Sequence, residues 1–101
     1  MSTNLVPAAG TDGFPAIFLG VSQKLTTSGS SQVITFSGFP SLVRVFCTKD
    51  CYIDIAAAPV ANSSKAFLPG GFIEYFGVQP GQKIAIIQDS VAGTFYETEG
   101  L

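Results

Sequence analysis

From residue 21 onward the apolar residues come in short runs, many alternating with polar ones, and clusters of Gly, Pro, Ser and Asn separate the runs. Strand-sized segments fall near residues 21–27, 32–36, 42–47, 51–56, 65–68, 72–76, 82–89 and 94–98. The separators are Ser28-Gly29-Ser30, Gly38-Phe39-Pro40, residues 59–64, Pro69-Gly70-Gly71 and Gln79-Pro80-Gly81-Gln82. About eight short strands at this spacing predict an all-β fold. The expected architecture is a single-domain β-sandwich or jelly-roll-like barrel of short antiparallel strands over residues 21–101. The best helical candidate, residues 55–61, is interrupted by Pro59 and has no apolar stripe, so no helix is predicted.

Residues 1–20 follow neither period. Pro7, Gly10, Gly13, Pro15 and Gly20 punctuate them too often for regular structure, while Leu5, Val6, Phe14, Ile17 and Phe18 are too apolar for a free tail. They read as an extended N-terminal arm that either packs over its own sheet or docks on a neighbouring subunit.

Alternation fixes faces within the central strands. Val43, Val45 and Cys47 share one side of their strand, and Cys51, Ile53 and Ile55 share one side of the next. A hairpin with the three-residue loop Thr48-Lys49-Asp50 would pair Val43 with Ile55, Val45 with Ile53 and Cys47 with Cys51. Its other face would set Arg44 against Asp54 and Phe46 against Tyr52. That register brings the two cysteines opposite one another, either as a cross-strand disulfide or as two small buried hydrophobes. Pro80 and Gly81 occupy the two central positions of a type II turn, which launches Lys83-Ile84-Ala85-Ile86-Ile87, apolar on both faces and so an interior strand.

Composition narrows the chemistry. The 101 residues suit one domain, with 47% hydrophobic and only 12% charged residues, no His and no Trp. Net charge is −2 with five basic residues, too few for a phosphate-tracking surface, so no nucleic-acid partner is expected. No apolar run reaches the ~18 residues of a membrane helix, and the first ten residues lack the basic start of a secretory signal, so synthesis and folding in a cytosol are expected. Without His, and with two Cys, a metal centre would need carboxylates, and none shows calcium-loop spacing. Glu97 and Glu99 read as a solvated strand end. Only weak Ser–Lys pairs, Ser22 with Lys24 and Ser64 with Lys65, offer a nucleophile. No catalytic, cofactor-binding or metal-ligating residue is assigned.

What remains is surface. Nine Phe are many for so small a core, and low charge with abundant aromatics is the composition of subunit interfaces. The expected contact residues are Leu5, Val6, Phe14, Ile17 and Phe18 on the arm, with Arg44, Phe46, Tyr52 and Asp54 on the outward side of the central strands.

The segment 43–59 (VRVFCTKDCYIDIAAAP), followed by 67–77 (FLPGGFIEYFG) and 78–88 (VQPGQKIAIIQ), resembles small structural proteins of tailed bacteriophages. Those proteins have a strand ending in a "D-C-x-I-x-I" phrase, a Pro-Gly bend, a "V-x-P-G-x-K-I-A-V-I" strand, matched here by 78–87 with Ile86 in place of its Val, and a closing "G-T-x-x-x-T-E". The likeness spans about residues 42–99. It implies a virion component, foremost a capsid decoration (cement) protein that binds the major capsid protein and sister subunits as a dimer or trimer. It implies no catalytic residues and no cofactor. A neck, tail or fibre-attachment component, or a soluble small-ligand-binding β module, is the alternative.

Overall fold

The structure, a computed structural model, describes residues 19–100. Eight strands follow in order: β1 (Leu19–Thr26), β2 (Gln32–Ile34), β3 (Leu42–Cys47), β4 (Cys51–Ala56), β5 (Ala66–Leu68), β6 (Ile73–Gly77), β7 (Lys83–Gln88) and β8 (Thr94–Gly100). They form two antiparallel four-stranded sheets with no helix among the described residues. Sheet A has the order β1-β8-β3-β6 and sheet B the order β2-β7-β4-β5. Strand β1 begins at Leu19, inside the segment expected as arm, and the rest of that arm, with Leu5, Val6, Phe14, Ile17 and Phe18, lies outside the described residues.

The core lies between the sheets. Sheet A contributes Val43, Val45, Cys47 and Phe95; sheet B contributes Ile34, Cys51, Ile53, Leu68, Ile84 and Ile86, each 6% exposed or less. Burying each large aliphatic or aromatic side chain here stabilises the fold by about 1.5–3 kcal/mol relative to leaving it in water. Strand β7 sits between β2 and β4, and Ile84, Ala85 and Ile86 are all fully buried, in keeping with its two-sided apolarity. The turn that launches it closes through the Gln82 amide donating to the Gln79 carbonyl at 3.1 Å, with Gly81 at φ 84°. That positive φ at the third turn position is the type II requirement.

The expected hairpin between β3 and β4 does not form. Thr48-Lys49-Asp50 does separate them, but β3 pairs with β6 and β8 in sheet A, whereas β4 pairs with β5 and β7 in sheet B. The loop is an arch that carries the chain from one sheet to the other. The physical reason is that the two apolar faces meet across the interior rather than side by side, which buries all of Val43, Val45, Cys47, Cys51 and Ile53 and part of Ile55. Gly70 locks the arch: its amide donates to Asp50 Oδ1 at 2.7 Å, and a Cβ there would stand 2.8 Å from Lys49 backbone.

Candidate interaction surfaces

Because side chains alternate across each strand, the pairings arrange the outer face of sheet A in two cross-strand rows. One runs Lys24–Tyr96–Phe46–Ile73 and the other Ser22–Thr98–Arg44–Tyr75, each crossing β1, β8, β3 and β6. Phe46 and Tyr96 stack in a tilted pair with ring centroids 6.1 Å apart. Tyr96, Ile73 and Tyr75 are exposed at 41%, 47% and 53%. The charged members of both rows, Lys24 and Arg44, are cations. Ser22 and Thr98 bridge through their hydroxyls at 2.9 Å.

The outer face of sheet B is built differently. Ala85 lies on it between Val33 and Asp54, yet is fully buried. The β4–β5 connection is tied across this side: the Val60 amide donates to Asp54 Oδ2 at 3.1 Å, and the Ala61 amide donates to Ser31 Oγ at 2.9 Å. Pro59 and Ala61 are buried as a result. Lys65 Nζ lies 3.9 Å from Asp54 Oδ1. Tyr52 packs on Phe67 with centroids 5.4 Å apart, and desolvation, then the neighbouring Asp89 carboxylate, holds its phenol above the usual tyrosine range.

The four expected strand contacts are therefore not brought together. Arg44 and Phe46 lie on sheet A's outer face, and Tyr52 and Asp54 on sheet B's. Arg44 stands beside Tyr75 and Thr98, and Asp54 meets Lys65 instead of Arg44. The sequence reading missed Tyr75, Tyr96 and Ile73, which only the pairing of β3 with β6 and β8 places beside Phe46. A third surface runs along the edge made by β5 and β6, where Phe67 and Phe72 are exposed at 50% and 62% around the Pro69–Gly71 bend.

Two acidic residues are corrected most sharply. Glu97 and Glu99 do not form a solvated strand end; they are 0% and 4% exposed, on the inward side of β8 with Phe95. Glu99 is satisfied: Oε2 accepts from the Ser37 amide at 2.7 Å and its hydroxyl at 3.2 Å, and Oε1 accepts from the Gly38 amide at 3.2 Å. Neither oxygen of Glu97 has a hydrogen-bond partner among the described residues. Desolvation, reinforced by the Glu99 charge, raises the Glu97 carboxyl to about 7.

Cys47 and Cys51 are free and fully buried, one in each sheet, on either side of the arch. Burial and the adjoining Cys47 push the Cys51 thiol far above the usual range, which keeps it protonated and unreactive. Among the described residues, no three His, Cys, Asp or Glu side chains converge in a way that could hold a metal ion, and no helix is long and apolar enough to cross a membrane. The clefts are shallow and open to solvent; that beside Ser41, Ile55, Phe76 and Gln82 measures about 550 Å³. Comparison of the chain with family profiles, curated proteins and solved structures gives no match.

Proposed function

We propose that this chain is a non-enzymatic virion structural protein, a capsid decoration protein that binds the head surface and stabilises it through subunit contacts. The observation that carries the reading is the apolar edge of the sandwich. Phe67 and Phe72 stand exposed at 50% and 62% along β5 and the Pro69–Gly71 bend, in a chain with only 12% charged residues. A monomer in water gains nothing from such an edge, whereas a contact with another chain buries it.

The strand orders support a finer reading of the fold as a jelly roll. The sets β1-β8-β3-β6 and β2-β7-β4-β5 put successive strands in opposite sheets except where β4 meets β5. Eight-stranded jelly rolls serve as viral capsid and lectin domains, among others. The resemblance of residues 42–99 to small phage structural proteins points the same way. In this role the apolar edge docks at junctions between capsid subunits, and repetition over a symmetric shell turns modest single-site affinity into firm attachment.

Cryo-EM of the particle that carries the chain tests the proposal. Copies at every local two-fold or three-fold axis of the head, with β5 and β6 facing the shell, are the expected result. Copies confined to one vertex would make it a neck or tail component, and absence from the particle would overturn the virion reading.

A further inference from the structure

The outer face of sheet A has an aromatic floor that stays exposed, and residues 1–18 join the sheet at its edge strand. We propose that residues 1–18 lie across the outer face of sheet A in their own chain. This goes beyond the decoration reading, which uses the β5–β6 edge, and holds whether or not that reading does.

Three observations carry it. The first is length and position. The segment joins β1 at Leu19, and β1 is the edge strand of sheet A. Crossing from β1 over β8 and β3 to β6 spans three inter-strand spacings, about 14 Å, which about five extended residues cover. Leu19 stands opposite Gly100, four residues along β8 from Tyr96, so the diagonal to Ile73 on the far strand is about 20 Å and takes about six extended residues, 13–18, with residues 1–12 to spare.

The second is apolar complementarity. Phe14, Ile17 and Phe18 are the large apolar residues next to the junction. Within that reach the floor presents Tyr96, Phe46, Ile73 and Tyr75, three of them more than 40% exposed. The outer face of sheet B offers no equal target, because the β4–β5 connection is tied over it by Val60 and Ala61.

The third is charge. Asp12 is the only charged side chain in residues 1–18. The charged side chains in the two rows of the sheet A face are Lys24 and Arg44, both positive. An anion arriving beyond Phe14 finds cations on β1 and β3 and no carboxylate in either row, since Glu97 and Glu99 point inward.

The test uses the full chain with Thr11→Cys carrying a nitroxide spin label; the buried Cys47 and Cys51 stay unlabelled. In isotope-enriched protein, the amide signals of Phe46 and Tyr75 should lose most of their height, while Tyr52 and Phe67, on the matching strands of sheet B, keep theirs. Equal heights on the two sheets, or loss on sheet B, would overturn the proposal. Adding Phe14→Ser and Ile17→Ser to the labelled chain should restore Phe46 and Tyr75; persistence of the loss would also overturn it. A mixture of spin-labelled, unenriched chains with enriched, unlabelled chains separates own chain from second copy. No loss is expected there, and loss at Phe46 in the mixture would mean that a second copy supplies the segment, contradicting the proposal.

Discussion

The two sheets share a core yet are built to different standards. Sheet B is the conventional half: its inward rows are aliphatic, its interior strand β7 is buried on both sides, and its own β4–β5 connection roofs part of its outer face. Sheet A places two carboxylates on its inward side and leaves aromatic residues exposed on its outward side. Both features cost stability in an isolated sandwich. The difference teaches where to look for contact: the half that is poorly finished by itself is the half that something else completes.

The largest effect is expected where sheet B does its structural work. Ile86→Ala should destabilise the protein by about 2–5 kcal/mol in chemical denaturation, since a fully buried side chain leaves a cavity. On the sheet A side of the core the sign should reverse. The Glu97 carboxyl rises from its ordinary 4.5 to about 7 in the fold, so the native state holds a proton that the unfolded chain has released. Stability therefore falls as pH rises from about 4.5 to about 7 and levels off above, a loss of up to about 3 kcal/mol. Glu97→Gln should flatten that slope and raise stability at pH 8, as denaturation at several pH values would show. An unchanged slope in the variant would break the contrast between the sheets.

Glu99 sharpens the same point, because it differs from Glu97 only in having partners. Glu99→Ala should cost about 1.5–3 kcal/mol by leaving the Ser37 and Gly38 amides unpaired. The smallest effect belongs to the ion pair on the outer side of sheet B. With Lys65 Nζ 3.9 Å from Asp54 and its side chain 39% exposed, Lys65→Ala should change stability by less than about 1 kcal/mol.

Much of this was legible in the chain. Alternation gave the inward faces of β3 and β4 correctly, the Pro80-Gly81 pair gave its turn, and the two-sided apolarity of residues 83–87 gave an interior strand. Pairing was not legible. Alternation says which side of a strand is buried but not which strand lies beside it, and the Val43, Val45 and Cys47 face satisfies Cys51, Ile53 and Ile55 equally well across an interior as along a ladder. That ambiguity turned an arch into a hairpin and separated Arg44 from Asp54 and Phe46 from Tyr52. For Glu97 the signal was present, since it shares the parity of Phe95 in β8, but carboxylate chemistry argued for solvent and outweighed the period. The aromatic floor of sheet A depends on long-range pairing of β6, β3 and β8, which nothing local in the sequence specifies.

The three tyrosines provide a direct test of the claim that sheet A's outer face is covered. Tyr75 and Tyr96 lie on that face, and Tyr52 lies on sheet B. Hydroxyl-radical footprinting suits them, because its rates do not depend on the raised ionisation of Tyr52. In the full chain free in solution, Tyr75 and Tyr96 should be oxidised no faster than the half-buried Tyr52, despite standing 53% and 41% exposed in the structure. Oxidation of Tyr75 and Tyr96 well ahead of Tyr52 would mean that the face is open to solvent, and would contradict the account.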